Sequence, residues 1–171
     1  MDEIRLVLPD ESLLAEAAAY KEEFLASGDS MDGSGMLRHQ PPEEWLHTCR
    51  RLLREDTCPE GLVPATQYVC VDRNDRIVGM IDLRHRLNDY LAEFGGHVGY
   101  SVRPSERRKG YASRMLSMVL GEARKQGLPR VLVTCDEGNI ASRRTIERNG
   151  GRFERKAVDG NEIVLRYWID T

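Results

Sequence analysis

A chain of 171 residues, 40% hydrophobic and 31% charged, has the size and balance of one soluble domain with one core. A net charge of -3 gives no global attraction to nucleic acid. No stretch approaches the ~20 consecutive apolar residues of a membrane span, and the opening Met1-Asp2-Glu3-Ile4-Arg5 lacks the basic-then-apolar layout of a secretory signal, so the chain reads as cytoplasmic.

Ile4 to Leu8 reads as a short strand, and Glu11 to Ser27 as a helix with Leu13, Leu14, Ala17, Ala18, Phe24 and Leu25 as its apolar set. Residues 28–40 are turn-rich, and Pro42 opens a second helix through Trp45, Leu46, Leu52 and Leu53. Gln67 to Val71 and Ile77 to Leu83 flank a polar turn and predict a hairpin. His97 to Arg103 is the next strand, stopped by Pro104. Ala112, Met115, Leu116, Val119, Leu120 and Ala123 then form the clearest amphipathic stripe, ended by Gly127 and Pro129. Arg130 to Cys135 is a buried strand. Asn139 caps a helix to about Arg148, and Phe153 to Val158 and Glu162 to Ile169 flank Asp159-Gly160 as a second hairpin.

The order predicts an α/β (α+β) fold over residues 1–171. It is a mixed central sheet of about seven strands flanked by about four helices, with His97 to Cys135 as a parallel β-α-β crossover. Cys49, Cys58, Cys70 and Cys135 fit no CxxC or zinc-ribbon spacing. His39, His47, His85 and His97 form no HExxH, so no catalytic metal is expected.

The chemistry concentrates in Pro104-Ser105-Glu106-Arg107-Arg108-Lys109-Gly110-Tyr111-Ala112, between a strand and the amphipathic helix. A helix N-terminus carries about half a positive charge, so three cations there are unfavourable by ~0.3–1 kcal/mol each unless an anion sits among them. Free backbone N–H groups with Arg and Lys suit a phosphate, and Gly110 and Ala112 keep side chains small where it would approach. The plainer reading is a solvated basic turn with Ser105 as helix cap. Neither GxxxxGK[ST] nor GxGxxG is present.

Arg107-Arg108-Lys109-Gly110-Tyr111-Ala112 resembles the R/Q-x-x-G-x-G/A signature of the GNAT acetyltransferases. Gly99-Tyr100-Ser101-Val102-Arg103-Pro104 resembles that family's preceding strand. Asn139-Ile140-Ala141-Ser142 and Asn149-Gly150-Gly151-Arg152-Phe153 resemble its N-x-x-A/S and G-F region. The resemblance implies an N-acetyltransferase that moves the acetyl group of acetyl-CoA to a primary amine by direct attack in a ternary complex. It implies that Arg107, Arg108, Lys109, Gly110, Tyr111 and Ala112 hold the pyrophosphate. It also implies that the backbone of Ser101, Val102 and Arg103 contacts the pantetheine arm, with Asn139 and Ser142 nearby, in a slot where His97–Arg103 and Arg130–Cys135 diverge.

The resemblance leaves the proton chemistry open. The Tyr that many members carry as general acid aligns with Ile146. His97 stands where a base is often found, with Glu93, Asp82, Asp136 and Glu137 as lesser candidates. Asp29 and Asp32 belong either to a flexible lid that offers carboxylates to a cationic amine or to an ordinary solvated loop. The acceptor is a small-molecule or peptide amine. A homodimer through Glu162 to Ile169, with Tyr167 and Trp168, is expected by analogy. Two other readings stand: a non-catalytic acyl-CoA-binding module, and a nucleic-acid-binding protein using the basic cluster of residues 103–114 with Arg143 and Arg144.

Overall fold

The computed structural model describes residues 2–171. Strands β1 (Ile4–Val7), β2 (Ala65–Asp72), β3 (Ile77–Arg84) and β4 (Val98–Val102) pair antiparallel in chain order. β5 (Arg130–Asp136), β6 (Arg152–Asp159) and β7 (Glu162–Asp170) form a second antiparallel sheet in the order β5-β7-β6. The α-helices are α1 (Leu14–Ser27), α2 (Pro42–Leu52), α3 (Tyr111–Lys125) and α4 (Ile140–Arg148). Each expected element is present within two residues of its predicted limits, except that α1 begins three residues late, after a 3-10 turn at Glu11–Leu13. A helical turn at Leu91–Gly95 is additional, in a polar stretch without periodicity.

The apolar stripe of α3 explains the layering. Met115, Leu116, Val119 and Ala123 are fully buried against Val78, Ile81 and Leu83 of β3, Val131 and Val133 of β5, and Leu165, Tyr167 and Ile169 of β7. Each large aliphatic side chain so buried contributes about 1.5–3 kcal/mol, and one helix thereby holds both sheets. The opposite face of β2 and β3 is covered by α1 and α2, through Ala17, Tyr20, Phe24, Trp45 and Leu46. β3 is therefore buried on both faces, which is why its sequence is a nearly unbroken apolar run rather than an alternating one.

One expectation changes. The mixed sheet with a parallel crossover is instead two antiparallel sheets, which meet beside His97. Its N–H donates to Leu132 O (2.7 Å), and Leu132 N–H donates to its Nδ1 (2.9 Å). β4 and β5 share no ladder beyond that junction. β7, the strand expected at a dimer contact, is the middle of its sheet, with both backbone edges paired to β5 and β6. Of that sheet's two edge strands, β6 carries Arg152, Glu154, Arg155 and Lys156, exposed charges of the kind that discourage strand addition.

No helix among the described residues is long and apolar enough to cross a membrane. The cysteines are free thiols; burial pushes Cys49 and Cys70 up to about 12 and Cys135 to about 11, so they act as small apolar fillers.

Candidate acetyl-transfer cleft

β4 ends at Val102, and a single 3-10 turn at Pro104–Glu106 leads into the basic segment. Arg108 (φ 64°) and Gly110 (φ 79°) both take the left-handed conformation, which for a residue with a Cβ costs about 1–2 kcal/mol. These two reversals turn the chain so that α3 begins at Tyr111 with no side-chain cap and no acidic residue in its first turn. Ser105 is not the cap: its N–H donates to Glu23 Oε1 of α1 (2.5 Å), 82 residues earlier in the chain. An uncapped helix start flanked by arginines is an anion cradle assembled from backbone and charge.

The cradle opens into a cleft of about 660 Å³ between β4, α3 and α4. The structure brings Ser101, Val102, Arg107, Arg108, Gly110, Tyr111, Ala112, Asn139 and Ser142 to its walls, as the sequence reading expected. Asn139 Oδ1 accepts the Ser142 N–H (3.1 Å), so its amide caps α4 while lining the cleft. Two further cations line it: Arg144, which the sequence reading placed in a nucleic-acid cluster, and Arg148, which it did not single out. One turn apart on α4, they face the cleft beside Arg108, and none of the three has an ion-pair partner among the described residues. Their i, i+4 spacing on the face that also carries Ala141 and Thr145 was the available signal. α4 is fixed there by Asn149 Nδ2, which donates to Ser113 O (3.2 Å) and Ser113 Oγ (3.1 Å) in the first turn of α3.

Two expected residues lie outside the walls. Arg103 is buried: its guanidinium pairs with Glu16 (3.0 Å) and Glu23 (2.7 Å) of α1 and donates to Ile77 O (3.1 Å), while its N–H donates to Val78 O. Burial alone would raise the Glu23 carboxyl, but the bonds from Ser105 and Arg103 hold it at about 2. Arg103 is thus a strut between α1 and the sheet. The Lys109 ammonium turns back to Glu106 (2.6 Å).

His97 is a third correction. Its ring is 7% exposed, its Nδ1 accepts from Leu132, and it lies outside the cleft lining. Burial, aided by the Arg84 charge, lowers its pKa to about 4. An imidazole so placed is a neutral hydrogen-bond acceptor that joins the sheets rather than a base near neutrality. A free histidine titrates near 6.5, and a folded-state value below that means protons favour the unfolded chain. Stability is therefore complete above pH 6.5 and falls as pH drops from 6.5 to 4, by about 3 kcal/mol in total. Urea unfolding from pH 7.5 to 4 should show this loss, and His97→Gln should flatten it. Three lesser base candidates are also committed, Glu93 to Arg155, Glu137 to Lys156, and Asp82 to the Gly99 N–H and Arg84; Asp136 is exposed and has no ion pair among the described residues.

The 28–40 segment is neither a flexible lid nor a solvated loop. Met31, Ser34 and Leu37 are buried; Trp45 Nε1 donates to Ser34 O (2.8 Å) and Gln67 Nε2 to Gly33 O (2.7 Å). Gly33 (φ 73°) lies so close to β4 that a Cβ on it would stand 2.3 Å from Gly99 O and 2.6 Å from Tyr100 Cα. The segment delivers Asp29, Ser30 and Asp32 to the cleft wall. Asp29 pairs with Arg107 (2.7 Å), whose guanidinium also lies over the Phe24 ring at 5.7 Å. Tyr100 stands on the α4 side of β4, with its hydroxyl 2.5 Å from Ser142 Oγ; burial pushes the phenol up to about 12, so it holds its proton at neutral pH. Ile146, the aligned position of the family's Tyr, is fully buried against Gly151, and a side chain there does not face the cleft.

Residues 10–152 match the acetyltransferase (GNAT) domain family. An uncharacterised N-acetyltransferase of Bacillus subtilis strain 168, YnaD, is 31% identical over 84 residues, which are 46% of this chain. The match spans about half the length of that relative (49%). The fold is similar to that of a ribosomal-protein-S5-alanine acetyltransferase from Vibrio fischeri, with 19% identity, 99% of this chain and 94% of that one covered, and a TM-score of 0.76. It is also similar to a microcin C7 self-immunity acetyltransferase in complex with acetyl-CoA and AMP, at 16% identity, 100% and 94% coverage, and a TM-score of 0.73. With a signature turn, a divided sheet and a family match across most of its length, the chain belongs to the GNAT acetyltransferase family.

Proposed function

We propose that this protein transfers the acetyl group of acetyl-CoA to a primary amine, by direct attack within a ternary complex. The observation that carries the reading is the uncapped start of α3, set beside Arg108, Arg144 and Arg148, which have no counter-ion among the described residues, in the cleft between β4, α3 and α4. The chain's own residues fit a long ligand with a phosphate end and an amide arm. Arg107, Arg108, Arg144 and Arg148 offer charge, the Gly110–Ala112 backbone offers N–H groups, and β4 at Ser101 and Val102 offers an unladdered strand edge. Bound acetyl-CoA supplies an activated thioester.

Asn139 and Ser142 bound the arm on the α4 side, and the Tyr100–Ser142 hydroxyl pair supplies a proton to the departing sulfur from β4. Thiols have a pKa of ~8.5, so that demand is mild. The committed state of Arg103, Lys109 and Arg143 in ion pairs disfavours a nucleic-acid surface, which would need those cations free. Calorimetric titration with acetyl-CoA, followed by thiol release on adding amines, tests the assignment. Binding with thiol release supports it, binding without thiol release from any amine supports the non-catalytic acyl-CoA module, and no binding removes both.

A further inference from the structure

We infer that Asp32 is the carboxylate that receives the acceptor's ammonium group and takes its proton, and that the acceptors are therefore amines that arrive as cations. The inference rests on the acetyl-transfer reading of the cleft and adds the acceptor side to it.

Two carboxylates of the 28–40 segment face the cleft, and they are not equivalent. Asp29 is neutralised by Arg107 at the phosphate end. Asp32 has no ion pair among the described residues and holds only the Ser30 hydroxyl (3.2 Å). Its surroundings do not offer it a cation. Arg84 of β3 is engaged by Asp82 and by the carbonyls of Gly95 and Gly96, while Asp82 and Asp136 add negative charge nearby. Asp32 stands exposed at the mouth of the cleft; the protein around it and the Asp82 and Asp136 charges raise its pKa, and the Ser30 bond and Arg84 oppose them. An anion in that state gains most from a mobile cation entering the cleft.

Its position is fixed rather than incidental. Gly33, the next residue, is held backbone-to-backbone against Gly99 and Tyr100, and Gln67 and Trp45 anchor the carbonyls of Gly33 and Ser34. Asp32 is thus held at β4 from the α1–α2 side, whereas the Tyr100 hydroxyl reaches toward α4 on the other side. Both residues line the same cleft. A carboxylate and a protonated phenol on opposite sides of one strand suit the two proton movements of amide formation. One N–H bond of the ammonium breaks as an O–H bond forms on Asp32. The nitrogen lone pair makes the C–N bond to the acetyl carbon as the C–S bond breaks. The sulfur ends with a proton in exchange for the second nitrogen proton, relayed through Tyr100, and Asp32 returns its own to water.

The test uses the full chain, with Asp32→Asn, which keeps the shape and removes the charge, and Asp32→Glu, which restores it. Each protein is titrated with CoA, then, at saturating CoA, with spermidine, n-butylamine and alanine amide while unfolding temperature is followed. Thiol release from acetyl-CoA is measured with the same three amines. The expected result is CoA affinity alike within twofold in all three proteins. At least one amine should bind and be acetylated by wild type, with amine affinity at least tenfold weaker and kcat/KM at least 100-fold lower in Asp32→Asn, partly regained in Asp32→Glu. Amine affinity and kcat/KM of Asp32→Asn within threefold of wild type overturn the inference. So does a CoA-binding wild type that neither binds nor acetylates any of the three amines. A wild type that does not bind CoA overturns the cofactor reading itself, and this inference with it.

Discussion

Gly110→Glu should abolish stabilisation by acetyl-CoA. At about 100 times its Kd the ligand should stabilise wild type by about 2.7 kcal/mol. The same concentration should give the variant no more than about 0.4 kcal/mol if affinity falls 100-fold. The physical basis is placement. A Cβ at Gly110 meets nothing within 4 Å, so the new side chain enters open space at the start of α3. Its carboxylate then lies where the helix N-terminus and the arginines attract a phosphate. The left-handed backbone adds a cost of about 1–2 kcal/mol to folding, and Gly110→Ala isolates that cost. Thermal unfolding of the three proteins with and without acetyl-CoA separates the two effects. Equal ligand stabilisation in wild type and Gly110→Glu would move the phosphate away from this turn.

Gly33→Ala should have the second large effect, on stability and acceptor chemistry together. The methyl would overlap the backbone of Gly99 and Tyr100, atoms that no side-chain rotation can move, at a φ of 73° that already disfavours a Cβ. Strain of this kind costs about 1–3 kcal/mol for overpacking and about 1–2 for the backbone. A loss near 3 kcal/mol corresponds to a fall of about 10 °C in Tm for a domain of this size. Gly61→Ala is the matched control. Its φ is 83° and a Cβ there meets nothing within 4 Å, so only the backbone cost remains. The displaced segment carries Asp32, so Gly33→Ala should also raise the KM for the amine while leaving the Kd for acetyl-CoA within threefold. A Tm within 2 °C of wild type would show that the segment yields easily and does not rest on β4.

The elements were legible in the sequence because each carries its own periodicity. The α3 stripe and the apolar run of β3 identify themselves without partners. The basic turn at the start of α3 was legible too, since cations at a helix start are a local contradiction that an anion would resolve. What was not legible depends on distant contacts. His97 looks like a catalytic imidazole until Leu132, 35 residues away, is seen to occupy its Nδ1. Arg103 looks like part of the basic cluster until Glu16 and Glu23 close on it from α1. The 28–40 segment is rich in Gly, Ser and Asp, as solvated loops are. Its order comes from Trp45 and Gln67, which no local pattern reveals. Tyr100 was within reach: strand alternation puts it on the face shared with Val98 and Val102, although the hydroxyl's meeting with Ser142 depends on how α4 docks.

The divided sheet has a consequence for how the chain folds. β2–β3 and β6–β7 are joined by short turns and close small loops at little entropic cost, whereas β1–β2 closes over residues 8–64; yet every ladder stays within its own half. The halves should form as separate cooperative units, and α3, with its stripe buried against both, is the element that fastens them. The cleft is therefore the seam between two folding units. Its width is set by how α3 settles between them, so core substitutions such as Met115 or Val119 to smaller residues would retune the cleft without touching its lining.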